Sequence, residues 1–387
     1  MSAAISLPLA VSLLTLAIWI YMILGRGLFW WPHEEPAPAL PKTWPRVTAI
    51  IPARNEAQTV ARTLASLLEQ DYPGEFSIVL VDDHSEDGTA DIARAAAAKA
   101  GKSANLRVIA ARSLPEGWSG KLWALSEGVR ATAEAGASPE LYLFTDADIG
   151  HHRENLSELV ARLQANQLDL ASLMVRLHCE SQVEKFMIPA FVWFFAMLRP
   201  FAWASDPDRR TAAAAGGCIL IRRSAYERIG GYAAIHRELI DDCALAREVK
   251  RGGKIWLGLT SRTLSLRAYS GLGDVWNVIA RTAYEHLDYS PWKLLGTVLG
   301  MSLIFLAAPG LALALTGPPA WVALASWAAM ALAYAPMLRF YRVGLWRAPL
   351  LPVVALFYMG ATVDSARRHG MGKGGLWKGR VSWQSQR

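Results

Sequence analysis

Residues Ile5–Leu24 form an uncharged apolar run. A helix of about 20 such residues spans the hydrocarbon core of a bilayer. This constrains the rest of the chain, since one part is solvated by lipid and another by water. Leu294–Leu315 and Ala320–Leu338 are two further spans, and Pro349–Val363 is a shorter apolar stretch carrying two prolines. The first run reads as an anchor or as a cleaved signal peptide. No basic residues precede it and Arg26 follows it, the pattern of an uncleaved anchor over residues 1–25. Between it and Leu294 lies a polar region long enough for one sizeable domain.

The 387 residues carry a net charge of +7, which raises the question of a nucleic-acid partner. The positions of the charges argue against one. Arg339, Arg342 and Arg347, then Arg367, Arg368, Lys373, Lys378 and Arg380, flank the apolar runs, where basic residues mark the cytoplasmic side and meet anionic lipid. Trp19, Trp30, Trp31, Trp292, Trp346 and Trp377 lie in or beside the runs, as interfacial anchors do. Cys179, Cys218 and Cys243 form no metal spacing and suggest reduced thiols in a cytoplasmic domain. The expected organisation is an anchor at 1–25, a proline-rich linker at 26–46, a cytoplasmic domain at 47–290, membrane segments at 291–363 and a basic tail at 364–387. The basic loops place this multi-pass chain in the cytoplasmic membrane with Pro349–Val363 re-entrant or interfacial.

Strand and helix patterns alternate through the domain. Val47–Ala53, Phe76–Val81, Leu106–Ala111, Leu141–Thr145 and Leu168–Leu177 read as strands. Ala57–Glu69, Thr89–Ala100, Lys121–Ala135 and Asn155–Asn166 read as helices. The alternation implies an α/β fold with a mainly parallel sheet, whose ligands bind outside the carboxyl ends of the strands. Val183–Ala204 is apolar and aromatic but interrupted by charges and prolines. It reads as an interfacial helix or as an ordinary buried one.

Six stretches carry candidate chemistry. In LYLFTDADIG, the strand stops at Asp146 and Asp148, two like charges on one side of an extended chain. A divalent cation held by oxygen ligands would make that pairing favourable. In IIPARNEAQTV, Pro52-Ala53-Arg54-Asn55-Glu56 joins a strand to a helix, where free backbone N–H groups attract anions, although Asn55 could simply cap the helix. In IVLVDDHSEDGT, Asp82 and Asp83 could accept hydrogen bonds from a base or ribose, while Ser85 and Asp87 serve as turn and cap residues. In GWSGKLWAL, Lys121 begins a helix, where a cation is disfavoured unless an anion binds it or water solvates it. In ELIDDCALAREVKRGG, Asp241 and Asp242 precede a helix and could be ordinary caps. In NVIARTAYEHL, Arg281 could meet phosphate or lie beside the membrane.

Taken in order, these pieces resemble the family 2 glycosyltransferases over about Arg46 to Tyr289. The closer likeness is to the membrane-bound, ceramide-glucosyltransferase-like branch, and within it to the hopene-associated glycosyltransferases. GWSGKLWAL, EKFMIPAFVWFF, DPDRRTAAAAGGCILIRRSA and LIDDCALA carry that likeness, and the Trp377-Lys378-Gly379-Arg380 tail resembles the branch more broadly. The resemblance implies a GT-A fold, a Rossmann-like nucleotide-sugar-binding domain. Pro52, Ala53, Arg54, Glu56, Asp82 and Asp83 would hold the nucleotide. Lys121 would lie near it, and Asp146 and Asp148 would bind the nucleotide sugar through Mg²⁺ or Mn²⁺. Asp242, beside Asp241, would be the catalytic base. Arg281 matches the arginine of the family's Q-x-x-R-W motif, but Val278 and Thr282 replace its Gln and Trp, which favours single-sugar transfer over processive synthesis.

The implied reaction is an inverting transfer from a UDP-linked or similar donor to a membrane lipid of the hopanoid pathway, or otherwise to ceramide, diacylglycerol or polyprenyl phosphate. Trp193, Phe194 and Phe195 would then face the bilayer, and Gly216-Gly217 would leave room for acceptor or sugar, or merely make a turn. Two alternatives differ in class. A nucleotidyltransferase usually has a Gly-rich phosphate loop after its first strand, where PARNE stands here. An inactive membrane scaffold would have broken acidic sites, and these are intact.

Overall fold

The computed structural model describes residues 6–136, 138–372, 376–377 and 380–381. Lys373, Lys378 and Gly379 of the basic tail lie outside them. The strands are β1 (Val47–Ala53), β2 (Phe76–Asp82), β3 (Leu106–Ala110), β4 (Leu141–Phe144), β5 (Ile149–Gly150), β6 (Leu170–Arg176), β7 (Ile219–Arg222) and β8 (Ile255–Ser265). The helices are α1 (Leu7–Leu24), α2 (Val60–Leu68), α3 (Thr89–Lys99), α4 (Gly120–Glu134), α5 (Asn155–Ala165), α6 (Gln182–Leu198), α7 (Phe201–Ser205), α8 (Arg223–Arg228), α9 (Asp241–Lys250) and α10 (Leu272–Thr282). Three long helices follow: α11 (Pro291–Ala314), α12 (Pro318–Phe340) and α13 (Leu345–Gly370). The chain divides into two compact units.

One unit comprises His33–His178 and Trp203–Ala268, with the last residues of the chain. Among the described residues its main sheet has eight strands, in the order β3-β2-β1-β4-β7-β6-β8-β5. Alternate residues of β1 point to opposite faces, as the two-residue period of a strand requires. Val47, Ala49 and Ile51 meet Leu64 and Leu67 of α2 and Leu159 of α5 in one core. Ile50 meets Leu122 and Leu125 of α4 and Leu245 of α9 in the other. Both faces are therefore covered by helices, which explains why β1 is buried without interruption. Gly128 lets α4 approach β1 closely, because a Cβ there would stand 2.4 Å from Ile50 Cγ2.

The expected sheet was mainly parallel, and the structure departs from this at one place that matters. β1 pairs with β2 and β4 in parallel, but β7 enters antiparallel between β4 and β6. Phe144 at the end of β4 therefore faces Ile219 at the start of β7. The loop that leads into β7 is brought to the carboxyl end of β4, beside Asp146. The proline-rich linker does not hang free in this unit. Glu35 pairs with Arg162 at 2.6 Å and accepts a hydrogen bond from the Trp256 indole at 3.1 Å.

The other unit comprises residues up to Pro32, Cys179–Ala202 and Tyr269–Gly374. Four of its helices, α1, α11, α12 and α13, are long and apolar enough to cross a membrane. The short stretch Pro349–Val363 is thus the middle of a longer helix that runs to Gly370. The apolar segment 183–204 is not one helix. It ends at Leu198, ahead of Pro200, whose ring cannot continue it. The bilayer-facing role expected of Trp193 and Phe194 fails, because both are buried within this unit. The Trp193 indole donates to Ala333 O of α12 at 3.1 Å and its ring stacks against Trp19 of α1.

Candidate active site

The carboxyl ends of β1, β2 and β4 gather most of the residues singled out from the sequence. At the first two ends, the loops after β1 and β2 brace each other. Asn55 N donates to Ser85 Oγ at 3.0 Å, Glu56 N to Thr89 Oγ1 at 2.8 Å and Ala57 N to Asp87 Oδ2 at 2.9 Å. In return Glu86 N donates to Asn55 Oδ1 at 2.9 Å. The N–H groups expected to await an anion after β1 are therefore taken by side chains of the second loop. Asn55 has φ 53°, a left-handed conformation that Asn tolerates better than most residues.

Arg54 and Asp83 are drawn together by the same bracing. Arg54 Nη1 donates to Asp83 O at 2.5 Å and lies 3.9 Å from Asp83 Oδ2. Asp83 N donates back to Ala53 O at 2.8 Å. Asp82 accepts from Ser85 N at 3.2 Å, so its carboxylate fixes the turn. Pro52 and Ala53 form the floor as the last residues of β1.

The second half of the site is centred on Lys121. Ser119 caps α4 by accepting from Leu122 N, which leaves Lys121 in the first turn. That turn carries a partial positive charge, so the lysine needs compensation. It has it from two loops, with Nζ 3.0 Å from Asp146 Oδ1 and 3.3 Å from Asp241 Oδ2. Its side chain is 19% exposed. Burial pulls the ammonium pKa down, but Asp146, Asp241 and Asp242 outweigh burial and hold it above the ordinary lysine value.

Asp242 is positioned by backbone. Its Oδ2 accepts from Gly216 N at 2.9 Å and its Oδ1 from Cys243 N at 2.7 Å. Burial and then the charge of Asp241 push its carboxyl up to about 6, against the pull of Lys121 and the two amides. Gly216 has little room for a side chain, since a Cβ would stand 3.1 Å from Lys121 Nζ and 3.6 Å from Asp242 Oδ2. Gly217 O accepts from Thr145 at 2.8 Å, which ties the loop before β7 to the end of β4. The antiparallel entry of β7 thus unites Asp146, Lys121, Gly216 and Asp242.

Asp148 lies deeper. Burial pushes its carboxyl up to about 7, and the charges of Asp146 and Glu56 add to the shift while Arg267 and Lys121 oppose it. A carboxyl under that pressure is stabilised as an anion by a nearby cation. Oxygen donors of this kind suit Mg²⁺ or Mn²⁺, which take one or two carboxylates and complete their shell with phosphate oxygens and water. Among the described residues, no three His, Cys, Asp or Glu side chains are arranged to hold a metal. The protein's share would then be the pair Asp146 and Asp148.

Arg281 occupies the last turn of α10 in the other unit. Three residues near the site were not anticipated in their present roles. Gly216 positions the Asp242 carboxylate. Arg267 follows β8, a strand absent from the expected set. Tyr232 is buried within electrostatic range of Asp241, Asp146 and Asp242. The apolar alternation in IWLGLTSRTLS was the available signal for β8. Nothing in the sequence marked Arg267 or Tyr232.

Residues 48–230 match the model of glycosyl transferase family 2. The chain is 25% identical over 293 residues to 4,4'-diaponeurosporenoate glycosyltransferases of Staphylococcus aureus strains bovine RF122 / ET3-1 and USA300, covering 74% of this chain and 71% of theirs. Among solved structures, mannosyltransferase PcManGT from Pyrobaculum calidifontis, in complex with GDP-Man and Mn²⁺, superposes with a TM-score of 0.55. It covers 93% of this chain and 99% of its own, at 21% identity. The mixed sheet between two helix layers is a GT-A fold.

Proposed function

We propose that this chain, whose residues 48–230 match the model of glycosyl transferase family 2, is a glycosyltransferase that transfers a single sugar, with inversion, from a nucleotide-sugar donor to the hydroxyl of a membrane lipid. The observation that carries this reading is the bridge made by Lys121 between Asp146 and Asp241. It joins the strand end suited to a donor's diphosphate to the helix start suited to an acceptor.

The roles follow from the positions. Arg54, Glu56, Asp82 and Asp83 bind the base and ribose of the donor, UDP-linked in the resemblance that suggested it. Asp146 and Asp148 would hold Mg²⁺ or Mn²⁺, which when bound supplies charge neutralisation for the leaving diphosphate. Lys121 exchanges its carboxylate partners for phosphate oxygens as negative charge develops there. Asp242, held by two backbone amides, removes the acceptor's proton as its oxygen attacks the anomeric carbon from the opposite face. Such general-base help contributes about 10²–10⁴-fold. One displacement inverts the configuration, so an α-linked donor gives a β-linked product.

The apolar helices give the acceptor its class, since a donor soluble in water needs no membrane unit. A cytoplasmic-membrane location with the catalytic domain on the cytoplasmic side follows from the basic residues beside the spans. The resemblance to the hopene-associated branch makes a hopanoid-related alcohol the first acceptor to try. The relatives favour a second reading. Their name ends in a carboxylate, and an acceptor already ionised needs no proton removed. The test is to incubate the purified chain with a panel of nucleotide sugars and membrane lipid extract and identify the product by mass. A glycosylated lipid hydroxyl supports the first reading, and a glycosyl ester supports the second. Cleavage of a nucleoside triphosphate in place of a nucleotide sugar would overturn both.

A further inference from the structure

We propose that Arg347 is the centre of a binding site for the anionic headgroup of a lipid. This goes beyond the transfer reading, and only the KM comparison in its test rests on that reading. Of the three arginines near the start of α13, Arg339 and Arg342 are exposed, as expected of residues flanking a span. Arg347 is only 8% exposed. Among the described residues no carboxylate pairs with it. Its Nη2 donates to Gln182 Oε1 at 3.0 Å, and its buried Nε has no acceptor among the described residues. The guanidinium lies over two rings, 4.3 Å from the centroid of Trp346 and 5.0 Å from that of Phe186.

A buried cation with no counter-ion is costly, because desolvation is not offset by an opposite charge. Ring faces recover part of that cost and one amide a little more. The Tyr334 hydroxyl adds a second unsatisfied group. Among the described residues it has no hydrogen-bond partner, and it is buried within electrostatic range of Arg347. A ligand with two anionic oxygens would satisfy both at once, one oxygen on the guanidinium edge and one on the phenol. Trp346, 61% exposed, presents an aromatic face beside the same arginine, as residues at headgroup depth do. Phosphate or carboxylate on an amphiphile has this chemistry, whether it belongs to a bilayer lipid or to the acceptor.

The test uses the full chain in neutral detergent, with native mass spectrometry of bound short-chain phosphatidylglycerol, phosphatidylcholine and inorganic phosphate. Saturable retention of phosphatidylglycerol over phosphatidylcholine is expected. Arg347→Met should weaken it about tenfold or more, the loss of one charge-assisted bond. Tyr334→Phe, which removes a hydroxyl bonded to nothing, should weaken it less and leave folding intact. Arg347→Met should also unfold at the same temperature or higher without lipid. Equal retention of both lipids by the unaltered chain, or unchanged phosphatidylglycerol binding in both variants, would overturn the proposal. Binding of phosphate alone at the same concentration would overturn the lipid assignment. Phosphatidylglycerol raising the acceptor's KM would assign the site to the acceptor, and an unchanged KM to bilayer lipid.

Discussion

As the proposed base, Asp242 would have two demands on it: it must be ionised to take a proton, and it must not be so acidic that it takes one weakly. Burial and the neighbouring Asp241 answer both by pushing it up to about 6. The direction of the pH dependence follows. Below that value the carboxyl is protonated and cannot act as a base, so kcat/KM for a hydroxyl acceptor should fall about tenfold per pH unit there. Above it the rate should level off. A profile measured from pH 4.5 to 8 checks this, and a rate indifferent to pH through 6 would remove Asp242 from the role. Lys121 sets the other half of the balance. It lies between carboxylates from two loops, so its ammonium is held in charged form and positioned before any donor arrives.

At the scale of elements, the antiparallel entry of β7 decides where the chemistry can be. The loop ahead of it supplies Gly216, whose N–H orients Asp242 and whose missing side chain leaves space for Lys121. Gly216→Ala places a Cβ 3.1 Å from the ammonium. The ammonium must give by a few tenths of an ångström, so kcat should fall, but by less than the about 10²-fold that a 1 Å misplacement costs. Thermal unfolding should be little changed. Steady-state kinetics alongside a melting curve tests this, and an unaffected kcat would mean that Lys121 and Asp242 need no such spacing. The same region marks how far the sequence could be read. β1 to β4 and α2 to α5 were legible because their apolar positions repeat at two or at 3.6 residues. The acidic motifs stand at strand ends, which exposes them to the same reasoning. The direction of β7 was not legible, since residues 219–222 have the same pattern whichever way they pair. Asp242's partnership with Gly216 rests on that direction, and so it was missed too. Trp193 was misread for a related reason. An aromatic run on a helix does not say whether its rings meet lipid or α12.

For the molecule as a whole, the question is which side of the membrane each part occupies. By length and composition α13 could cross. It makes contacts with α6 and α10. Near its start Arg347 meets Gln182 of α6, and at its middle the Tyr358 hydroxyl donates to Met187 O of the same helix at 2.9 Å. Towards its end Asp364 accepts from the Trp276 indole of α10 at 2.8 Å, and Arg368 donates to Asn277 at 2.9 Å. α13 thus lies along α6 and α10, and the basic residues Arg367 and Arg368 near its end favour the cytoplasmic side. A reporter fused after Arg387 should therefore read as cytoplasmic, and a periplasmic reading would require α13 to cross.

The central claim is that one cluster, Asp146 and Asp148 with Lys121, Asp241 and Asp242, both grips the donor and activates the acceptor. The most direct measurement separates these two tasks in Asp242→Asn. Donor affinity is read by titration, and turnover is read at saturating donor. The account predicts unchanged donor affinity with turnover lowered about 10²–10⁴-fold. Lost donor affinity with turnover preserved would make Asp242 a binding residue and contradict the account.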